Sequence, residues 1–165
     1  RIDHMSFKQY LKILYLPAIQ VVALMNLAKR LRGLPVVGKL FAVLIDNSIL
    51  YFFSLEVNSQ SLNVNKLTIG HSTGVVLGGN GIKCSGELRV SSGVVFARRY
   101  QDHAVDNTLA FFEIEGDLTV GANSVLLGPL FIKGPTIIGA LSLVTKDILE
   151  PGVYVGSPAR KIRDL

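Results

Sequence analysis

Two histidines, His71 and His103, and one cysteine, Cys84, are the side chains here best suited to chemistry near neutral pH. Imidazole exchanges a proton in that range, so a histidine beside a hydroxyl can take its proton as the oxygen attacks an electrophile. The third histidine, His4, belongs to residues 1–4, which read as the remnant of a cloning junction ahead of Met5 and are set aside. A single cysteine forms no internal disulfide, and no cluster of Cys and His offers ligands to a metal, so no metal cofactor is expected. Cys84 lies between apolar positions and reads as a small buried hydrophobe; a reducing, cytoplasmic compartment is expected.

The elements that must position these residues show as a six-residue period. From Ile114 an aliphatic side chain returns at every sixth place, through Val120, Leu126, Ile132, Ile138 and Val144. Four residues after each stands Leu118, Ser124, Leu130, Thr136, Ser142 or Ile148, while Gly121, Gly139 and Gly128-Pro129 supply turns. Neither an amphipathic helix nor a hairpin meander holds that phase. A three-sided coil does: each side is one short strand, each aliphatic residue points inward, and a turn takes about eighteen residues. The same period runs in another phase through Ile69 and Val75, then Ile82, Leu88 and Val94. The expected fold is mainly β, a parallel β-helix over 55–149. Its period fails between Phe96 and Glu113, so 97–113 reads as an extruded loop, the kind of segment that lines sites on rigid scaffolds.

Residues 5–54 read differently. Apolar residues are dense but broken by Pro17, Gln20, Asn26, Pro35 and Asp46, which predicts two or three short amphipathic helices with Gly33-Leu34-Pro35 as a stop. No run is expected to reach the ~20 apolar residues of a membrane span. Packing on the main body or a neighbouring subunit is the usual destination of such a face; peripheral membrane contact, at the inner face of the membrane, is the alternative. The net charge of +5 gathers in Lys29, Arg30 and Arg32 and again in Arg160, Lys161 and Arg163. Such clusters suit phosphates or acidic lipids; nucleic acid is not expected, because no basic stripe with interleaved aromatics accompanies them.

The stretch HSTGVVLGG (71–79), the repeats, and the ending GVYVGSPARKIRDL together resemble the serine acetyltransferase branch of the hexapeptide-repeat acyltransferases, over residues 55–165. The resemblance implies a left-handed β-helix, acetyl-CoA as acyl donor and a homotrimer with sites between subunits. It casts His71 as general base and Glu56, fifteen positions earlier, as its carboxylate partner, where the family usually has aspartate. It casts Gly121, Ala122, Gly139 and Ala140 as the backbone that holds the pantetheine arm. The tail 150–165 would close over the cofactor, with Arg160 and Lys161 toward its phosphates.

The sequence also departs from that branch. Serine acetyltransferases carry an Arg-His pair just before the position of Ile114 and an acid before the motif histidine; this chain has Phe111-Phe112 and Gly70 there. The expected acceptor is therefore a saccharide of capsule, lipopolysaccharide or exopolysaccharide biosynthesis, with Arg99, Tyr100 and His103 as acceptor-binding candidates beside Phe111 and Phe112. Serine itself is the alternative. Other branches place the catalytic histidine in the extruded loop, which gives His103 a second candidate role. A non-catalytic scaffold and a carbonic anhydrase-like metalloenzyme are the remaining classes; the second needs about three histidine ligands.

Overall fold

In the computed structural model, residues 17–78, 81–99 and 112–165 are described. Tyr100, His103, Phe111 and residues 1–16 lie outside them. Among the described residues two helices come first, α1 (Pro17–Arg32) and α2 (Val36–Phe53), broken at Gly33–Pro35 where the sequence places a stop. Thirteen strands follow among the same residues. They wind as a parallel solenoid of about four turns, and the coils can be followed side by side.

The first side stacks β1 (Leu55–Val57), β3 (Val75–Leu77), β5 (Val95–Arg98), β8 (Val125–Gly128) and β11 (Leu143–Val144). The other two sides are joined in one eight-stranded sheet, because β2 (Leu62–Ile69) and β4 (Ile82–Val90) each turn a corner without breaking. On the second side their first halves pair with one another, and β4 pairs with β6 (Phe112–Glu115), which pairs with β9 (Leu130–Lys133). On the third side their second halves continue into β7 (Leu118–Val120), β10 (Thr136–Ile138) and β12 (Gly152–Val155). Strand β13 (Arg160–Arg163) closes that side antiparallel to β12.

The six-residue period is the inside of this prism. Ile114, Val120, Leu126, Ile132, Ile138 and Val144 are all buried, as are the residues four places after each. Parallel pairing in register sets Val120 over Val90 and under Ile138, so each aliphatic side chain lies on its counterpart one coil away. Cys84 occupies such a place, over Val64 and under Ile114, and its thiol donates to the Gly116 carbonyl at 3.5 Å. Burial pushes that thiol above its ordinary range, which keeps it un-ionised and inert.

Three boundaries differ from the sequence expectation. Strands reach into the span 97–113 expected as a loop, since Ala97 and Arg98 pair with Leu127 and Gly128 while Phe112 and Glu113 pair with Leu130 and Phe131. Neighbouring coils hold these residues in the ladder although their own sequence has lost the period. The β-helix also runs past 149, because β12 pairs in parallel with β10, and the tail therefore starts as part of the coil. Third, α2 is eighteen residues long and apolar enough to cross a membrane by length and composition, with 22 % of it buried. Lys39 and Asp46 interrupt its apolar run without ending the helix.

The helix pair closes the amino-terminal end of the prism. Val21 and Met25 of α1 and Ile49 of α2 join the same core as Leu55 and Leu62, which removes the end of the aliphatic column from water. A polar knot fixes the pair to the first coil. Arg32 Nη2 donates to Asp46 Oδ2 at 2.5 Å, and the amide and hydroxyl of Ser59 donate to that same oxygen at 3.2 and 3.1 Å. Asp46→Asn removes the charge while all three donors remain, and should lower unfolding free energy by ~1–3 kcal/mol. Urea unfolding of both proteins tests this, with an unchanged midpoint as the contrary result.

On the outer third side Glu87 binds three partners: Arg89 Nη2 at 2.8 Å, the Thr68 hydroxyl at 2.6 Å and Lys66 Nζ at 3.1 Å. Arg89 first, then Thr68 and Lys66, hold its carboxyl at about 2 against an ordinary 4.5. A depressed carboxyl stabilises the fold fully above its unfolded value and loses that contribution as pH falls toward its folded one. The stability gap between wild type and Glu87→Gln should therefore be constant from neutral pH down to about 4.5 and close between 4.5 and 2. Thermal unfolding across that range measures it.

Candidate functional site

One edge of the prism, where the third side turns into the first, gathers most of the candidate residues. Each coil makes this corner with a residue in the left-handed region: Gly74 at φ 70°, Gly93 at 66°, Asn123 at 57° and Leu141 at 58°. Ser54, which ends α2 at φ 51°, begins the same column, and the Gly74 amide donates to its carbonyl at 2.9 Å. These corners are in register but unequal in length. Between the paired residues Ile69, Val90, Val120 and Ile138 and the left-handed positions stand Ser91-Ser92, Gly121-Ala122 and Gly139-Ala140, two residues each, but Gly70-His71-Ser72-Thr73 in the first coil.

His71 thus sits on a corner two residues wider than those stacked beyond it, and it is exposed there while the next residue, Ser72, turns inward and is buried. The widened corner leaves His71 exposed at the edge of the prism. Glu56 is the outward residue of β1, paired with Val76, and exposed. It lies on the strand reached from Ser54, the residue bonded to the end of the His71 corner. Glu56 and His71 therefore belong to neighbouring rungs at one edge and are not hydrogen-bonded to one another.

Gly121-Ala122 and Gly139-Ala140 are stacked on successive coils of that edge: the Gly121 amide donates to Ile138 O at 2.8 Å and the Leu141 amide to Ala122 O at 2.9 Å. At ~4.8 Å per coil they lie about 10 and 14 Å along the edge from the level of His71. Their smallness has a cause within the fold. A Cβ on Gly121 would stand 2.5 Å from the Ala140 nitrogen and 2.8 Å from the Gly139 carbonyl carbon, both backbone, whereas on Gly139 it would meet the Val155 side chain at 2.6 Å. Coil stacking alone forbids a side chain at Gly121. Ala122 is half-buried and Ala140 exposed, so these two present methyl groups and backbone on the outer edge.

Two residues not singled out as site candidates hold this edge. Ser124 and Ser142, buried where the repeat elsewhere sets an aliphatic residue, form a polar ladder: Ser124 Oγ donates to Gly139 O at 2.8 Å and accepts from the Ser142 amide at 3.2 Å, and Ser142 Oγ accepts from Gly156 N at 3.2 Å. The signal for them is a serine in a column of Leu, Ile and Thr. Through Gly156 the ladder reaches the tail, which is not a free strap: the Ala159 amide donates to Leu143 O at 2.7 Å and β13 pairs with β12.

The cationic candidates divide. Lys161 bridges Asp164 at 2.7 Å and Glu150 at 2.9 Å, and these carboxylates, Asp164 foremost, hold its ammonium well above the ordinary range. Its charge is already answered within the chain. Arg160 is exposed and donates only to the carbonyl of its neighbour Ala159 at 3.0 Å. Arg99 stands at the far edge of the first side, where its guanidinium donates to Thr145 O and to Leu127 O, the latter at 3.4 Å, and caps two coils. Phe112 corrects an expectation outright: it is fully buried, edge-on to Phe96 with ring centroids 5.0 Å apart, and offers no face to a sugar. Among the described residues no group of three or more His, Cys, Asp or Glu comes together that could hold a metal.

No family model matches the chain, and no curated protein does. Solved structures match well. Serine acetyltransferase from Brucella abortus S19 in complex with coenzyme A superposes with a TM-score of 0.76 at 20 % identity, over 98 % of this chain and 62 % of that one. The Neisseria gonorrhoeae serine acetyltransferase gives 0.74 at 23 % over 99 % and 62 %, and soybean serine acetyltransferase complexed with serine gives 0.75 at 19 % over 98 % and 64 %. The chain spans less than two thirds of each. At these identities the likeness shows the fold, a left-handed β-helix of hexapeptide repeats behind two helices.

If Gly121 is kept small by coil stacking, Gly121→Ala should destabilise the protein by ~1–3 kcal/mol, lowering Tm by roughly 2–4 °C per kcal/mol. Calorimetry of the variant without ligand checks this. An unaltered Tm would leave ligand contact as the reason for the glycine.

Proposed function

We propose that the chain transfers an acetyl group from acetyl-CoA to a hydroxyl, with His71 as general base. The observation that carries this reading is the widened corner, which presents an exposed histidine on the edge whose later rungs are Gly121-Ala122 and Gly139-Ala140. An alcohol near neutral pH is a weak nucleophile. His71 would accept its proton as the oxygen attacks the thioester carbonyl, and return a proton to the departing coenzyme A sulfur. Glu56, on the adjoining rung, is suited to orient the imidazole and to balance its charge. An extended pantetheine arm laid along the edge would meet backbone at the two small pairs, and Arg160, whose guanidinium meets the Ala159 carbonyl but no carboxylate, is suited to a phosphate.

Serine ranks first among acceptors, because the matching structures named above are serine acetyltransferases and the soybean one is complexed with serine. A saccharide hydroxyl is the second reading. Gly70 favours it, since the acid that serine acetyltransferases carry there is missing; the buried Phe112 no longer does.

A homotrimer with the site between copies is part of the proposal. Beyond Glu56 on its first strand, the outer face of the first side is apolar, formed by Val76, Val95, Ala97, Val125, Leu127 and Leu143, whereas the other two sides carry Lys66, Glu87 and Arg89, and Lys83, Glu113 and Glu115. His71 stands at one edge of that side and Arg99, just past the end of β5, at the other. A threefold axis along that side would bring Arg99 of one copy beside the His71 corner of the next.

The test is coenzyme A release from acetyl-CoA with serine and with a panel of nucleotide-linked and oligomeric sugars. Turnover should fall by about 10²–10⁴ in His71→Asn. Equal turnover of variant and wild type would remove His71 from the chemistry. Activity on sugars and none on serine would reverse the order of acceptors.

A further inference from the structure

We infer that the α1–α2 hairpin docks the protein on the surface of an acidic lipid bilayer. This goes beyond the transferase reading and does not rest on it. Helix α2 leaves most of its circumference uncovered: Val36, Tyr51 and Phe52 are each 82 % exposed, and Val37, Leu40 and Phe41 are exposed between them. Only Gly38, Ala42 and Ile49 of this helix are buried. Leu34 in the turn and Leu27 of α1 extend the same apolar surface. By length and composition this helix is apolar enough for a membrane, and within this chain 22 % of it is buried.

Charge selects the occupant. Within the hairpin the one carboxylate, Asp46, is spent on Arg32 and Ser59, while Arg30 and Lys39 are exposed on either side of the apolar turn around Leu34, Val36 and Val37. Lys29, half-buried, adds a third cation, its ammonium pushed down by burial. A second copy docked hairpin to hairpin would set these cations against their own kind with no free carboxylate in residues 17–53 to meet them. Acidic headgroups answer them, and acyl chains accept the phenylalanines.

The mode of contact follows from Asp46. It lies within α2 and is tied to Ser59 on the first corner of the solenoid, with Ile49 beyond it in the core. Crossing the bilayer would carry that polar knot and the adjoining coil into hydrocarbon. The helix, ~27 Å long, therefore lies along the surface with its apolar side down.

Flotation of the whole chain, without acetyl-CoA, on vesicles of phosphatidylcholine with phosphatidylglycerol tests this. Wild type should float, should not float on phosphatidylcholine alone, and should lose about fivefold in affinity for each of Arg30→Gln and Lys39→Gln. Tyr51→Glu/Phe52→Glu should stay at the bottom of the gradient with an unchanged circular dichroism spectrum. Because the protein has no tryptophan, Phe52→Trp supplies a single reporter, whose emission should shift to the blue on the mixed vesicles. Wild type that fails to float, or indole emission from the Phe52→Trp variant that vesicles leave unmoved, overturns the inference. A drop in solution mass in Tyr51→Glu/Phe52→Glu without vesicle binding by wild type would assign the face to a second copy instead.

Discussion

Parallel hydrogen bonding of each coil to the next, in unbroken register, is the constraint from which the rest of this molecule follows. It fixes which residue lies over which, so the inward aliphatic positions form columns and the corners form edges. Val90, Val120 and Ile138 share one column only because their strands pair residue for residue. A slip of one residue in any coil would turn its aliphatic residues outward and its lysines and glutamates inward. The same register imposes the left-handed residue at one corner of every coil. Where glycine is absent, Asn123 and Leu141 still adopt it, since the neighbouring rungs leave no other path.

Function can enter such a lattice only where it is locally relaxed. The first-coil corner shows this: it has two residues more than those stacked on it, which frees His71 from the ladder without disturbing Ile69 before it or Val75 after it. Elsewhere smallness and polarity answer to stacking: Gly121 to the backbone of the next coil, Ser124 and Ser142 to the amides and carbonyls of a corner that an aliphatic side chain would leave unpaired. A residue that resembles a ligand contact on this edge is thus often a structural necessity first.

A solenoid also has ends, and each is finished differently. At the carboxyl end the chain folds back on itself through β13 and fastens its turn to Leu143. At the amino end two helices cover the open column, and the Arg32–Asp46–Ser59 knot holds them in place. One amphipathic face can satisfy only one neighbour. Gly38, Ala42 and Ile49 spend α2's packing on the protein side, and the remainder of the helix is largely exposed.

By itself the sequence determined the coil. Its hexad from Ile114 to Val144 names the inward residues, because burial on one side of a repeating strand leaves a period that nothing else produces. It also separated the helical segment and set the turn at Gly33–Pro35, since proline and glycine act locally. It marked His71 through the motif it resembles. Only the tertiary structure decided what depends on neighbours. Phe112 reads as an exposed aromatic until Phe96 is seen against it; Lys161 reads as a free cation until Glu150 and Asp164 close on it; Ala97, Arg98 and the strand at Gly152 have no periodic signal, and adjoining coils pull them into register. Periodicity is a property of one strand and can be read along the chain, whereas pairing is a property of two and cannot.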